Sequence, residues 1–243
     1  MNGIEPAAAP AKTGLFGAAL AGGVVGSVLT AVLLFVAAPS LLGSKIVRDG
    51  ILADPGILIE ASDALHQAQF APVLNANRAA IETPFGSSWK GAAKPEVTMV
   101  EFFDYACPYC KASNPAVDRL LQEDKGLRVV YRELPILGPD SVTAARLSLE
   151  ASKAGRFTQF HDNLWSAGRP SPETNAQAAS AAGIPAQPVS DPAIEAELNA
   201  NMKLAGQLGA TGTPLFVVGD RVMNGAVGYD TLKDAIAKAR GKA

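Results

Sequence analysis

The sequence predicts an α/β domain in which a strand–helix–strand half and a strand–strand–helix half are separated by a helical insertion. Three observations carry that reading. An apolar run, Val97 to Phe103, leads directly into Cys107-Pro108-Tyr109-Cys110 and a helical pattern reaching about Leu121, with Leu120 and Leu121 facing inward. A second strand-like run, Leu127 to Arg132, comes next, and this order forms a right-handed unit with a parallel strand pair. Leu215–Val218 and Arg221–Met223, joined by Gly219-Asp220, read as a hairpin whose first turn glycine suits a type II′ turn.

Residues 1–13, rich in Ala and Pro, read as a disordered cytoplasmic tail. Leu15 to Ala38 carries no charge, and its 24 residues would make roughly 36 Å of helix, enough for a hydrocarbon core of about 30 Å. Residues 14–38 are therefore a transmembrane anchor, or a secretory signal cleaved near Val36-Ala37-Ala38. The flanking charges, Lys12 before and Lys45 and Arg48 after, leave orientation undecided. A single apolar segment heading the chain normally exports the polypeptide C-terminal to it. Gly22 and Gly26 have the G-x-x-x-G spacing of a helix-pairing face, although such glycines more often reflect plain membrane-helix composition.

Residues 39–91 form a helical arm and linker. Asp54-Pro55 starts a helix, and Pro72 should break or kink the apolar pattern between Ile57 and Ile81 into two short helices. These make a spacer or interaction arm, or pack back on the main domain. Pro84 to Pro95 is a link, and the main domain occupies 92–243. Its insertion, about 139–208, is alanine-rich and punctuated by Gly155, Gly168 and Gly183 into about four helices, and Asp230 to Ala239 is the last helix.

Composition excludes other classes. Net charge is −2, from 21 basic and 23 acidic residues, with no basic block to hold nucleic acid. Two histidines, His66 and His161, and two cysteines cannot supply a spaced zinc site. His161 reads as a packed helix residue rather than a base, and Trp89 and Trp165 as core or surface anchors. Both thiols, the whole cysteine complement, sit in one C-x-x-C on one helical turn, where the N–H groups of a helix start favour a thiolate. That points to thiol–disulfide exchange. The rival is a module holding Cu(I) with the same two soft thiolates.

Glu101-Phe-Phe-Asp-Tyr-Ala-Cys-Pro-Tyr-Cys-Lys111 resembles the active-site region of the DsbA family, and Gly212-Thr213-Pro214 resembles that family's cis-proline loop. The arm is similar to the N-terminal extensions of the ScsC-like branch. The resemblance implies a thioredoxin-like fold with a helical insertion over about Val97–Ala239. It implies Cys107 as the more exposed nucleophile and Cys110 as the resolving thiol. Pro108 and Tyr109 become the dipeptide that tunes potential and meets substrate, and Glu101 a buried acid exchanging protons with Cys110. Thr213 and Pro214 would present backbone to an extended client, and Thr213 resembles isomerase-type relatives. The implied protein is a single-pass inner-membrane enzyme with its catalytic domain in the periplasm, or a periplasmic one after cleavage. It would act on cysteine-containing exported proteins as oxidase or isomerase/reductase, served by a membrane redox partner. The arm is a candidate surface for homo-oligomer formation, the oligomeric state being open, and the resemblance implies no metal or organic cofactor beyond the Cys107–Cys110 disulfide.

Overall fold

The computed structural model describes residues 43–241, which divide into two compact units at Ala61/Ser62. The apolar segment Leu15–Ala38 lies outside the described residues. Among those described, no helix is long and apolar enough to cross a membrane. In the first unit, helix α1 (43–53) leaves Ile46, Val47 and Leu52 exposed.

Helix α2 (Gly56–Glu82) corrects the expectation of a break at Pro72: it is one helix of 27 residues. An interior proline costs about 3 kcal/mol. Beyond it Leu74 and Ile81 are each 1% exposed, and burying two such side chains returns about 4 kcal/mol. Arg132 then ties down the helix end. Its Nε donates to the Ile81 carbonyl at 2.9 Å, and its Nη2 donates to the carbonyls of Thr83 (2.6 Å) and Ala80. Its Nη1 reaches Glu197 at 2.7 Å and Asn201 Oδ1 at 2.8 Å. The compact unit therefore starts at Ser62 rather than residue 92.

The sheet has the order β1-β3-β2-β4-β5. Strand β2 (Val97–Phe103) lies at its centre, parallel to β3 (Leu127–Glu133) and antiparallel to β4 (Leu215–Val218), which continues into β5 (Arg221–Asn224). In the hairpin Val218 pairs with Arg221. Gly219 has φ +55°, and no residue other than glycine has positive φ among those described, as a type II′ turn requires. Strand β1 (Trp89–Gly91), antiparallel on β3, falls where a link was expected. Three residues carry no readable alternation, and their pairing partners lie some forty positions away in sequence.

Alternation along β2 and β3 sorts the core. Met99, Phe103, Val129 and Tyr131 face one layer with Val117 and Leu120 of α3 (Pro108–Glu123) and Leu232 and Ile236 of α8 (Gly228–Arg240). Val100, Phe102 and Val130 face the other, with Leu74 and Ile81 of α2 and Leu204 near the end of α7 (Pro192–Gln207). Helices α4 (Pro139–Lys153), α5 (Phe157–Ala167) and α6 (Pro172–Ala182) join α7 in the four-helix insertion that the sequence predicts between β3 and β4.

Candidate active site

Strand β2 ends at Phe103, and the next residue builds the turn into α3. Asp104 is 1% exposed, and its carboxylate accepts four hydrogen bonds. Oδ1 takes the Ala106 N–H and the Ser141 hydroxyl, each at 2.7 Å. Oδ2 takes the N–H groups of Ile136 (2.8 Å) and Leu137 (2.9 Å). Its carbonyl accepts the Cys107 N–H at 3.0 Å. One carboxylate thus joins the cysteine loop, the β3–α4 loop and the start of α4. Sequence reasoning missed it; an Asp two residues before an N–H it can cap is the available signal.

Cys107 occupies the N-cap of α3 with extended backbone, and Pro108 sits in the first turn, where its missing N–H costs nothing. Cys110 lies one turn further in at 0% exposure. Cys107 is more exposed than Cys110, as expected, yet retains only 4%. The residue that projects is Tyr109, 65% exposed, with Pro108 beside it. The thiol of Cys107 donates to the Thr213 carbonyl at 3.2 Å. The Thr213–Pro214 peptide is cis. Asn224, at the end of β5, holds the loop before it: Oδ1 accepts the Thr211 N–H at 3.1 Å and Nδ2 donates to the Gly209 carbonyl at 3.2 Å. No sequence signal linked Asn224 to this loop. Geometry therefore unites Cys107, Cys110, Thr213 and Pro214, although the two pairs stand about a hundred positions apart in the chain.

Glu101 shares its face of β2 with Met99 and Phe103, inside the layer that contains Cys110. It is 1% exposed, and neither carboxylate oxygen has a hydrogen-bond partner among the described residues. Burial, and secondarily the charge of Asp118, push its pKa up to about 8, against a smaller opposing pull from Lys90. Burial likewise pushes the Cys110 thiol far up, and the Glu101 charge adds to that. Tyr131, the cross-strand partner of Glu101, lines a cleft of about 290 Å³ shared with Lys90, Asp118 and Trp165. The acid expected at this position is thus buried, not on a solvent-facing edge.

His161 is 3% exposed. Its Nε2 accepts the Trp165 N–H at 3.2 Å, which leaves the proton on Nδ1, 3.0 Å from the Tyr105 hydroxyl. Burial holds it well below its ordinary pKa, so it stays neutral and acts in packing. No group of three or more His, Cys, Asp or Glu able to hold a metal occurs among the described residues.

A family model described as a DSBA-like thioredoxin domain matches residues 98–237. A thioredoxin-like oxidoreductase from Silicibacter pomeroyi is 36% identical over 69% of this chain and 99% of its own, with a TM-score of 0.63. ScsC from Proteus mirabilis, in a transitional conformation, is 28% identical over 82% of this chain and 94% of its own, with a TM-score of 0.65. Among curated proteins, the Na(+)/H(+) antiporter NhaA 3 of Salinispora tropica is 38% identical over 77 residues, 31% of this chain. The chain spans 12% of that antiporter's length. The family match covers more than half of the chain and includes the cysteine turn, the insertion and the Thr213 loop, so the chain belongs to the DsbA-like thioredoxin family.

Proposed function

We propose that this chain is a membrane-anchored periplasmic enzyme that exchanges disulfides with exported, cysteine-containing proteins, on the isomerase/reductase side of the family. The observation that carries the exchange is the Cys107 thiol at the mouth of α3, 3.2 Å from the Thr213 carbonyl and one turn above Cys110. An extended client pairing with the Thr213 backbone brings its own sulfur against Cys107.

In the oxidising direction a client thiolate attacks Sγ of Cys107 in the Cys107–Cys110 disulfide. The client–Cys107 bond forms, and Cys110 leaves with the electron pair. A thiol pushed so far up takes a proton at once, and the Glu101 carboxyl, which keeps its proton up to about pH 8, supplies it. A second client thiolate then attacks the client sulfur and releases Cys107 as thiolate. In reverse, Glu101 accepts the proton as Cys110 attacks. The disulfide is the redox carrier, and no metal or organic cofactor is needed. A membrane redox partner resets the pair.

The isomerase side is supported by Thr213 beside the cysteines and by the arm, which exposes Ile46, Val47, Leu52, Leu58 and Leu65 and suits self-association. The ScsC likeness also covers more of this chain than the oxidoreductase likeness does. The anchor reading rests on the uncharged run Leu15–Ala38. The test pairs scrambled-ribonuclease reactivation with the reduction potential of the cysteine pair, using Cys107→Ser as the blank. Reactivation with a potential nearer about −270 mV than about −120 mV supports the isomerase/reductase reading, and the converse an oxidase. A chain starting at Ser62 keeps Leu74 and Ile81 in the core, and it should lose self-association while retaining insulin reduction.

A further inference from the structure

The loop that presents Thr213 rests on two supports. From β5, Asn224 bonds the Gly209 carbonyl and the Thr211 N–H, and the Gly225 N–H donates to the Pro214 carbonyl at 2.8 Å. From α2 comes an apolar support. Gly209 has φ +69°, and a Cβ built there would lie 2.7 Å from Phe70 Cζ and 2.9 Å from Phe70 Cε1. The ring therefore lies close against the glycine, and a side chain there would have to displace it. Phe70 and Ala210 pack against the same buried cluster. One turn on, Leu74 is 1% exposed, and Arg132 fixes the helix end, so the ring stands on a rigid base. The cysteine turn has a separate scaffold, the four hydrogen bonds of Asp104.

We propose that Phe70 is a positioning residue for client binding: its ring holds the Gly209 end of the loop and thereby sets the Thr213 backbone against which an extended client pairs. This rests on the reading that clients dock on Thr213. A small disulfide reaches Cys107 without strand-like pairing, so the two kinds of substrate respond differently to loss of the ring.

In the full-length protein, Phe70→Ala should raise KM for an extended peptide–glutathione mixed disulfide about fivefold, the loss of one net hydrogen bond's binding. The rate constant toward oxidised glutathione should change by less than about twofold, and Phe70→Leu should recover most of the peptide KM. Asn224→Ala, which loosens the same loop from β5, should also raise the peptide KM. An unchanged peptide KM in Phe70→Ala beside a raised one in Asn224→Ala overturns the role of Phe70 and leaves docking on Thr213 standing. Unchanged KM in both variants removes the docking reading and this inference with it. Equal losses toward peptide and glutathione show a merely structural ring and also overturn the proposal.

Discussion

Glu101 and Asp104 are carboxylates three residues apart, each 1% exposed, and the structure treats them in opposite ways. Asp104 meets four donors, so its side chain ties three segments of backbone and side chain together and its energy goes into shape. Glu101 meets none, and burial drives its pKa up to about 8. A satisfied acid is a scaffold, whereas an unsatisfied one is a proton store near neutral pH. The Glu101 charge acts on the Cys110 thiol, whereas Asp104 accepts the Cys107 N–H through its carbonyl.

The contrast is broken most severely by Asp104→Ala. Four donors lose their acceptor, so we expect a loss of about 3–5 kcal/mol in urea unfolding, with slower exchange at Cys107 as the turn loosens. Wild-type-like stability would show that solvent replaces the carboxylate and that the scaffold role is wrong. Glu101→Gln acts in the opposite direction. Between about pH 4.5 and 8 the folded protein holds a proton that the unfolded chain has released, so native stability falls as pH rises through that window. The amide removes this penalty. The gain over wild type should be nil below pH 4.5 and reach the order of a few kcal/mol above pH 8. Denaturation of the reduced protein across pH checks this, and a constant difference would refute the proton store. The same variant should slow client turnover about tenfold, less than the roughly hundredfold or more of full acid–base catalysis, because the thiol exchanges protons by other routes too. The smallest change, Ser141→Ala, removes one of the four donors to Asp104 and should cost about 1 kcal/mol with an unaltered pH profile.

Much of this arrangement is legible in the chain. Val97–Phe103, Cys107 to Cys110, Leu127–Arg132 and the Gly219-Asp220 turn are local signals, and the structure places each element where its pattern puts it. Thr213 and Pro214 were readable through family likeness, although no local rule brings them to Cys107. The features that escaped depend on partners far away in sequence. Pro72 does break local helix rules, and only the burial of Leu74 and Ile81 with the grip of Arg132 overrides them. Trp89–Gly91 becomes a strand because β3 offers it an edge. Asp104 and Asn224 look like ordinary turn residues until the loops they hold are in place.

The sheet is bordered on both sides by short strands. β1 has three residues and β5 four, and the first ends at Gly91 with φ +97° behind Lys90, whose ammonium is paired with Asp162. Such blunt margins give a sticky, half-folded polypeptide little ladder to extend. The fold thereby guards its own flanks against edge-to-edge assembly with other chains.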